Sequence, residues 1–284
     1  MRFARVWVAR LARSCTASLQ GKRDSAICGL AASAAASAAY VNCSERSTVQ
    51  CNSAFQPKEN RKAEVLSSPA ISMLMSVIRD KRTCQADYVR AADRLMAILA
   101  EEGIARLPCV KPQVIQTPCG PFNGVTAPDG HTICAVDIVR SGGILLEAVR
   151  KVLPDLKTAK ILIQRDEETA LPKLYYSKLP DGIEKLHVVL CDPMLATGGS
   201  ALMAIEVLKK AGVKEENIMF INVVSCPEGL KALAKEAPGV RILTCGLDSH
   251  LNEVKFIVPG LGDFGDRYYG TAGYTQGFWG TNGR

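Results

Sequence analysis

From residue 67 onward, stretches with an apolar residue every three to four positions alternate with short apolar runs. The first pattern keeps one face of a helix apolar, and the second is that of a strand buried on both faces. Residues 69–79 and 86–102 carry the helical period, the second (ADYVRAADRLMAILAEE) stopping at Gly103. Strands are predicted at ICAVDIV (133–139), KILIQ (160–164), LHVVL (186–190), IMFINVV (218–224) and VRILT (240–244). Between several of them ILLEAVRKVL (144–153), ALMAIEVLKKAG (201–212) and EGLKALAKEA (228–237) read as amphipathic helices. The alternation predicts an α/β fold, a mostly parallel sheet with helices on both faces. Ligands bind beyond the carboxyl ends of the strands in such sheets, so the loops at that end carry the candidate chemistry.

The first 66 residues follow neither pattern. Residues 1–23, MRFARVWVARLARSCTASLQGKR, hold six basic residues and no acidic one. As a helix they would place Arg2, Arg5, Arg10 and Arg13 on one side and Phe3, Ala4, Trp7, Val8 and Leu11 largely opposite. With the AASAAASAA stretch that follows, this is the composition of a mitochondrial or plastid transit peptide; a disordered extension or an upstream start codon accounts for it equally well. No apolar run reaches the length of a membrane span, so a soluble protein without a membrane partner is expected. Residues 1–66 contain ten Lys/Arg and four Asp/Glu and so carry +6 of the formal +7, leaving +1 on the other 218. That balance speaks against a general polyanion binder, and no nucleic-acid partner is expected. The eleven cysteines show no C-x-x-C or Cys/His cluster, which indicates neither a disulfide framework nor a zinc site. His131, His187 and His250 are isolated, leaving no visible Cys-His or Ser-His partnership.

The strand-like VVLC (188–191) runs into DPMLATGGS (192–200) and then the helical ALMAIEVL. A loop that opens a helix faces unpaired amides and the positive end of the helix dipole, which together favour an anion. Gly198 and Gly199 allow close backbone approach, and Thr197 and Ser200 add hydroxyl donors. The stretch is neither a G-x-x-x-x-G-K-[ST] loop nor a G-x-G-x-x-G fingerprint. It reads as a phosphate cradle with Asp192 placed to hold sugar hydroxyls; a simple helix cap is the alternative.

DPMLATGGS resembles the ribose-5-phosphate loop of uracil phosphoribosyltransferases, which has one carboxylate before the loop where most other phosphoribosyltransferases have an acidic pair. Cys191 stands where many relatives carry the first acid. The resemblance, closest to the eukaryotic branch, continues in ILIQRDEETALPKLYYSKLP (161–180) and FIVPGLGDFGDRYYGT (256–271). It implies a type I phosphoribosyltransferase-like fold over about residues 67–271, between an N-terminal extension (1–66) and a tail (272–284) with Phe278 and Trp279. The implied reaction joins uracil N1 to C1′ of 5-phosphoribosyl 1-diphosphate, giving UMP and pyrophosphate in pyrimidine salvage, with Mg²⁺ carried by the diphosphate rather than by a protein cage. The implied ribose-phosphate contacts are Asp192, Pro193, Met194, Leu195, Ala196, Thr197, Gly198, Gly199 and Ser200. Arg140, in VDIVRSGG, and Arg165, in QRDEET, match the family's diphosphate-contacting arginines. Ile257, Gly262, Asp263 and Phe264 match the uracil pocket, with Asp263 also near the phosphoribosyl donor. Asp192, Arg140, Arg165 and Asp263 are the implied catalytic set. Assembly as a homodimer or homotetramer and activation by GTP belong to relatives and are specified by no residue here.

Residues 166–183, DEETALPKLYYSKLPDGI, form either a mobile hood over the site or a plain surface hairpin. The chain departs from the relatives' V-R-A-G-E at Val139-Arg140-Ser141-Gly142-Gly143, keeping Arg140 and Gly142 but losing the carboxylate next to Gly142, at the Gly143 position, and exchanging a methyl for a hydroxyl. Two other readings stand beside the active enzyme: a phosphoribosyltransferase-like regulator or inactive kinase partner, binding uracil, UMP or RNA, and a transferase for a different base.

Overall fold

The computed structural model describes residues 63–165 and 172–271, the side chain of Arg165 excepted. The extension with its transit-peptide pattern, residues 166–171 of the expected hood, and the tail from 272 lie outside the described residues. The elements, in chain order, are β1 (Ala63–Val65), α1 (Pro69–Arg79), α2 (Gln85–Ile104), β2 (Pro112–Thr117), β3 (Gly120–Val125), β4 (Ile133–Val139), α3 (Gly142–Val152), β5 (Lys157–Arg165) and β6 (Pro172–Lys178). Then follow β7 (His187–Cys191), β8 (Met194–Leu195), α4 (Gly199–Lys210), β9 (Ile218–Ser225), α5 (Pro227–Glu236), β10 (Arg241–Leu247), β11 (His250–Leu251), β12 (Ile257–Val258) and α6 (Phe264–Tyr269).

The main sheet runs β1-β10-β9-β7-β4-β5-β6, parallel except for the antiparallel β5–β6 edge, and β8 adds to β9. Its strands are apolar on both sides because both sides are covered. On β4, Ile133 and Ala135 face the core built with α1, α2 and α3, whereas Cys134, Val136 and Ile138 face the core built with α4 and α5. β9 repeats the division, with Met219, Ile221 and Val223 on the first face and Ile218 and Phe220 on the second. Leu66 extends the β1 ladder through its amide to the Thr244 carbonyl (2.8 Å), so the sheet reaches across the boundary expected at residue 67.

All five predicted strands and five predicted helices are present. Gly103 corrects the reading of α2: the helix continues through it to Ile104. A Cβ there would stand 3.0 Å from Ile221 Cγ2, so this glycine admits the sheet to the helix surface instead of ending the helix. The short pairs β2–β3 and β11–β12 went unpredicted.

β4 passes through α3 to β5 on one side, and β7 passes through α4 to β9 on the other. The two neighbouring strands therefore send their chains in opposite directions, opening a crevice at their carboxyl ends.

Candidate active site

At that crevice β7 ends in Cys191 and the chain turns through Asp192-Pro193 into β8, which leaves β7 to join β9. The Pro193 carbonyl accepts from the amides of Val223 and Val224 (2.9 and 3.0 Å), and the Leu195 carbonyl from that of Cys226 (3.1 Å). The Cys226 thiol donates to the Ala196 carbonyl (2.9 Å). The loop is thus fixed from behind by main-chain bonds. Gly198 then takes φ +86°, where a Cβ would crowd its own backbone and stand 3.1 Å from Leu233 Cδ1. Gly229 of α5 completes the interlock, since a Cβ there would be 2.5 Å from the Ala196 carbonyl oxygen.

No side chain caps α4 at its N-cap, Gly198, whereas Ser68 caps α1 and Asp263 caps α6. Thr197 Oγ1 accepts from the Gly199 amide at 3.4 Å. A twelve-residue helix therefore directs the positive end of its dipole and its first-turn amides at the loop, the arrangement that receives a phosphate. Asp192 is half-buried, and its Oδ1 accepts from the Met194 amide at 3.4 Å. Cys191, in the place of the relatives' first acid, is fully buried. Burial, reinforced by the Asp137 and Asp192 carboxylates, pushes its thiol well above the ordinary range. It is a neutral core group, and Asp192 alone brings carboxylate chemistry to this loop.

The second loop follows β4. Gly142, the first residue of α3, packs so tightly on the end of β7 that a Cβ would collide with the Cys191 carbonyl. The Val139–Arg140 peptide is cis. The half-exposed Arg140 guanidinium meets Asp266 Oδ1 at 2.8 Å and Asp263 Oδ1 at 3.5 Å through Nη2, and Nη1 donates to Thr271 Oγ1 at 3.0 Å. It lies against Gly265, where a Cβ would be 3.0 Å from Nη2.

Asp263 ends the third loop, between β12 and α6, and Asp266 stands in the first turn of α6. Ile257 and Phe264 turn their side chains into the core, the Phe264 ring lying edge-on to Tyr88 (5.6 Å) and stacked on Tyr268 (6.3 Å). What the loop offers a ligand is therefore backbone, around the half-buried Gly262 and Asp263. Two arginines hold it. Arg79 makes a two-pronged pair with Asp248 (2.6 and 2.9 Å) and donates to the Gly260 carbonyl (2.7 Å), while the Gly260 amide donates to Asp248 (2.8 Å). The buried Arg267 donates to the carbonyls of Leu261 (2.7 Å), Asp80 (2.8 Å) and Ile78, and sits 4.3 Å over the Tyr88 ring. Sequence reasoning missed all four of Arg79, Asp248, Arg267 and Tyr88: Arg267 lies inside the 256–271 stretch but received no role there, and the other three belong to no motif and have partners far along the chain.

The structure thus brings together Arg140, Asp263 and, through Gly142, the end of β7 that carries Asp192. Arg165 closes β5, and its side chain is outside the described residues. Beyond it the chain returns as β6, antiparallel to β5, a pairing that fits the hood and the surface-hairpin readings alike. Its first residue approaches the cradle: a Cβ on Gly199 would be 3.4 Å from Pro172 Cγ. Among the described residues no group of three or more His, Cys, Asp or Glu side chains could hold a metal ion, and no helix is long and apolar enough to cross a membrane.

Comparison with known proteins gives this geometry its context. A sequence model described as uracil phosphoribosyltransferase matches residues 65–271. The uracil phosphoribosyltransferase of Dictyostelium discoideum is 50% identical over 199 residues, 70% of this chain and 91% of that protein. That of Saccharomyces cerevisiae is 49% identical, over 69% of this chain and 90% of the yeast protein. Uridine kinase-like protein 4 of Arabidopsis thaliana is 41% identical over 69% of this chain but only 41% of its own length. The solved structure of the AQ2163 protein from Aquifex aeolicus superposes with a TM-score of 0.64 at 30% identity, covering 75% of this chain and all of the other. Relatives matched over nine-tenths of their length, a family match that spans all three loops, and loops that meet at one crevice lead to one statement: the chain belongs to the uracil phosphoribosyltransferase family.

Proposed function

We propose that the protein transfers the 5-phosphoribosyl group of 5-phosphoribosyl 1-diphosphate to N1 of uracil, forming UMP and pyrophosphate. The observation that carries this reading is the meeting of the three loops: Gly142 closes on the Cys191 carbonyl, and Arg140 pairs with Asp263 and Asp266. One loop suits the 5′-phosphate, one the diphosphate and one the base, and the bond to be exchanged lies between them.

The chemistry is chiefly one of charge. As the C1′–O bond breaks, the ribose becomes oxocarbenium-like and the diphosphate gathers negative charge, so fixed dipoles and cations around the two ends lower the barrier. The head of α4 holds the 5′-phosphate, and Asp192 takes the ribose hydroxyls. Arg140, already held by two carboxylates, is exchanged onto the diphosphate, where a guanidinium binds two oxygens at once. Mg²⁺ carried by the diphosphate would offset its gathering negative charge, and Asp263 is the side chain that would stand beside it. The imide and carbonyls of uracil pair with main-chain groups around Gly262; the 4-amino group of cytosine would face a donor meant for O4, leaving polar groups unpaired. The inactive-regulator and kinase-partner reading is disfavoured, because uracil phosphoribosyltransferases are matched over nine-tenths of their length and Asp192, Arg140 and Asp263 are all present.

Purified full-length protein should convert labelled uracil to UMP only when phosphoribosyl diphosphate and Mg²⁺ are both supplied, and should leave cytosine unchanged. No UMP under these conditions, or equal turnover of cytosine, would overturn the reading. Homodimeric or homotetrameric assembly and activation by GTP belong to the same proposal; sedimentation and a GTP titration of turnover test them.

A further inference from the structure

Resting on the function just proposed, one more assignment comes from the place where this chain departs from its relatives. Their V-R-A-G-E motif puts a carboxylate in the first turn of α3, where Gly143 stands here. The space beside Gly143 is already taken: a Cβ built there would lie 3.1 Å from Oδ2 of Asp137. Asp137 follows Ile133 and Ala135 along β4 at the two-residue period, so it faces α3, and it is 1% exposed. Its Oδ2 accepts from Lys160 Nζ at 2.9 Å, directly across the β4–β5 ladder. Its Oδ1 is buried with no hydrogen-bond partner among the described residues. In the ladder on its other side stands Cys191, whose carbonyl the Arg140 turn closes upon. Burying a carboxylate with one oxygen unpaired is costly, so this one is poorly explained as a stability element. Lys160 is half exposed, and its ammonium is 2.9 Å from the same Asp137 oxygen that lies against Gly143, which places it beside the diphosphate turn.

We propose that Asp137 supplies from the sheet the negative charge that relatives place on α3, and that with Lys160 it forms a positioning pair holding the Val139–Gly143 turn for the diphosphate. Asp137 touches no reacting atom; it acts through the turn and through Lys160, whose cation it holds beside that turn.

The test is a relocation. Asp137→Asn is expected to raise KM for phosphoribosyl diphosphate about tenfold with KM for uracil little changed, and to weaken binding of Mg-pyrophosphate in calorimetry by a similar factor. Gly143→Glu alone crowds two carboxylates into one place and should also lose about tenfold. The double variant Asp137→Ala/Gly143→Glu should recover most of the donor affinity that Asp137→Ala and Gly143→Glu each lose alone. Lys160→Met leaves the buried carboxylate without its cation, so its Tm is measured alongside; at temperatures where it is folded it should raise donor KM about fivefold while uracil KM holds. An unchanged donor KM in Asp137→Asn or Lys160→Met, or a double variant as poor as the product of its two singles, overturns the pair. Wild-type turnover separates the two readings: if wild type makes no UMP, the proposed function falls and takes this inference with it, whereas an active wild type with additive variants removes the pair alone.

Discussion

The phosphate cradle and the base loop lie at the same end of the sheet and are held by opposite means. The cradle, 192–200, is fixed by main-chain hydrogen bonds to β9 and by the interlock of Gly198 with Gly229. Its one carboxylate, Asp192, adds an acceptor for the Met194 amide at 3.4 Å. The base loop, 257–263, hangs on two arginines, Arg79 through Asp248 and Gly260, and Arg267 through Leu261, Asp80 and Ile78. A phosphate site built of amides needs an exact backbone path, which glycines and a ladder provide. A base slot built of backbone has no ladder of its own beyond the two-residue β11–β12 pair, so its shape has to be imposed by ties from α1 and α6.

If that contrast is right, the two regions can be damaged separately. Arg267→Leu removes three charge-assisted bonds from a buried position and should cost about 4 kcal/mol of stability, seen as a fall in Tm of about 10 °C. At temperatures where the variant is folded, KM for uracil should rise while donor KM holds; an equal rise in both would mean that the arginine supports the whole site. Next in size, Asp192→Asn should reduce kcat about 100-fold, or about 2.7 kcal/mol, with Tm near that of wild type. Wild-type kinetics would remove Asp192 from the mechanism. Gly198→Ala forces a side chain into the left-handed region against Leu233, and about 1–2 kcal/mol of strain is expected. Its signature is the mirror image of that of Arg267→Leu, a donor KM raised several-fold with uracil KM unchanged.

A last effect, set by pH and not by substitution, should be common to both regions. Burial pushes the thiols of Cys134 and Cys245 up to about 12 from an ordinary 9.0, and that of Cys191 well above it. The native state keeps these protons where the unfolded chain has begun to release them. Stability from this source is therefore complete below pH 9 and is lost as pH rises toward 12, by at most about 1.4 kcal/mol per thiol and pH unit. Denaturant midpoints that hold steady from pH 8.5 to 10.5 would contradict it.

The same contrast explains what could be read from the chain beforehand. The parallel sheet was legible because strands buried on both faces, such as ICAVDIV and IMFINVV, differ plainly from the amphipathic helices between them. The cradle was legible because its support is local: strand, turn, glycine and helix follow within thirteen residues of sequence. The supports of the base loop were not, since Arg79 and Asp248 stand 169 residues apart and nothing near either of them signals the pairing. Gly103 misled because a glycine late in a helix reads as a stop, and only the fold shows Ile221 pressed against it. The β2–β3 hairpin was missed because PQVIQT and GPFNGV remain largely exposed and bury no alternating face. Asp137 carried no signal of its own, being a lone acid in an apolar strand until Gly143 is seen beside it.

A crystal structure with phosphoribosyl diphosphate and Mg²⁺ bound would test the central claim directly. The account predicts the 5′-phosphate within about 2.7–3.1 Å of the amides that open α4, and the diphosphate on Arg140 in place of Asp266. A donor bound with its 5′-phosphate away from residues 197–200, or with Arg140 still paired to Asp266, would contradict it.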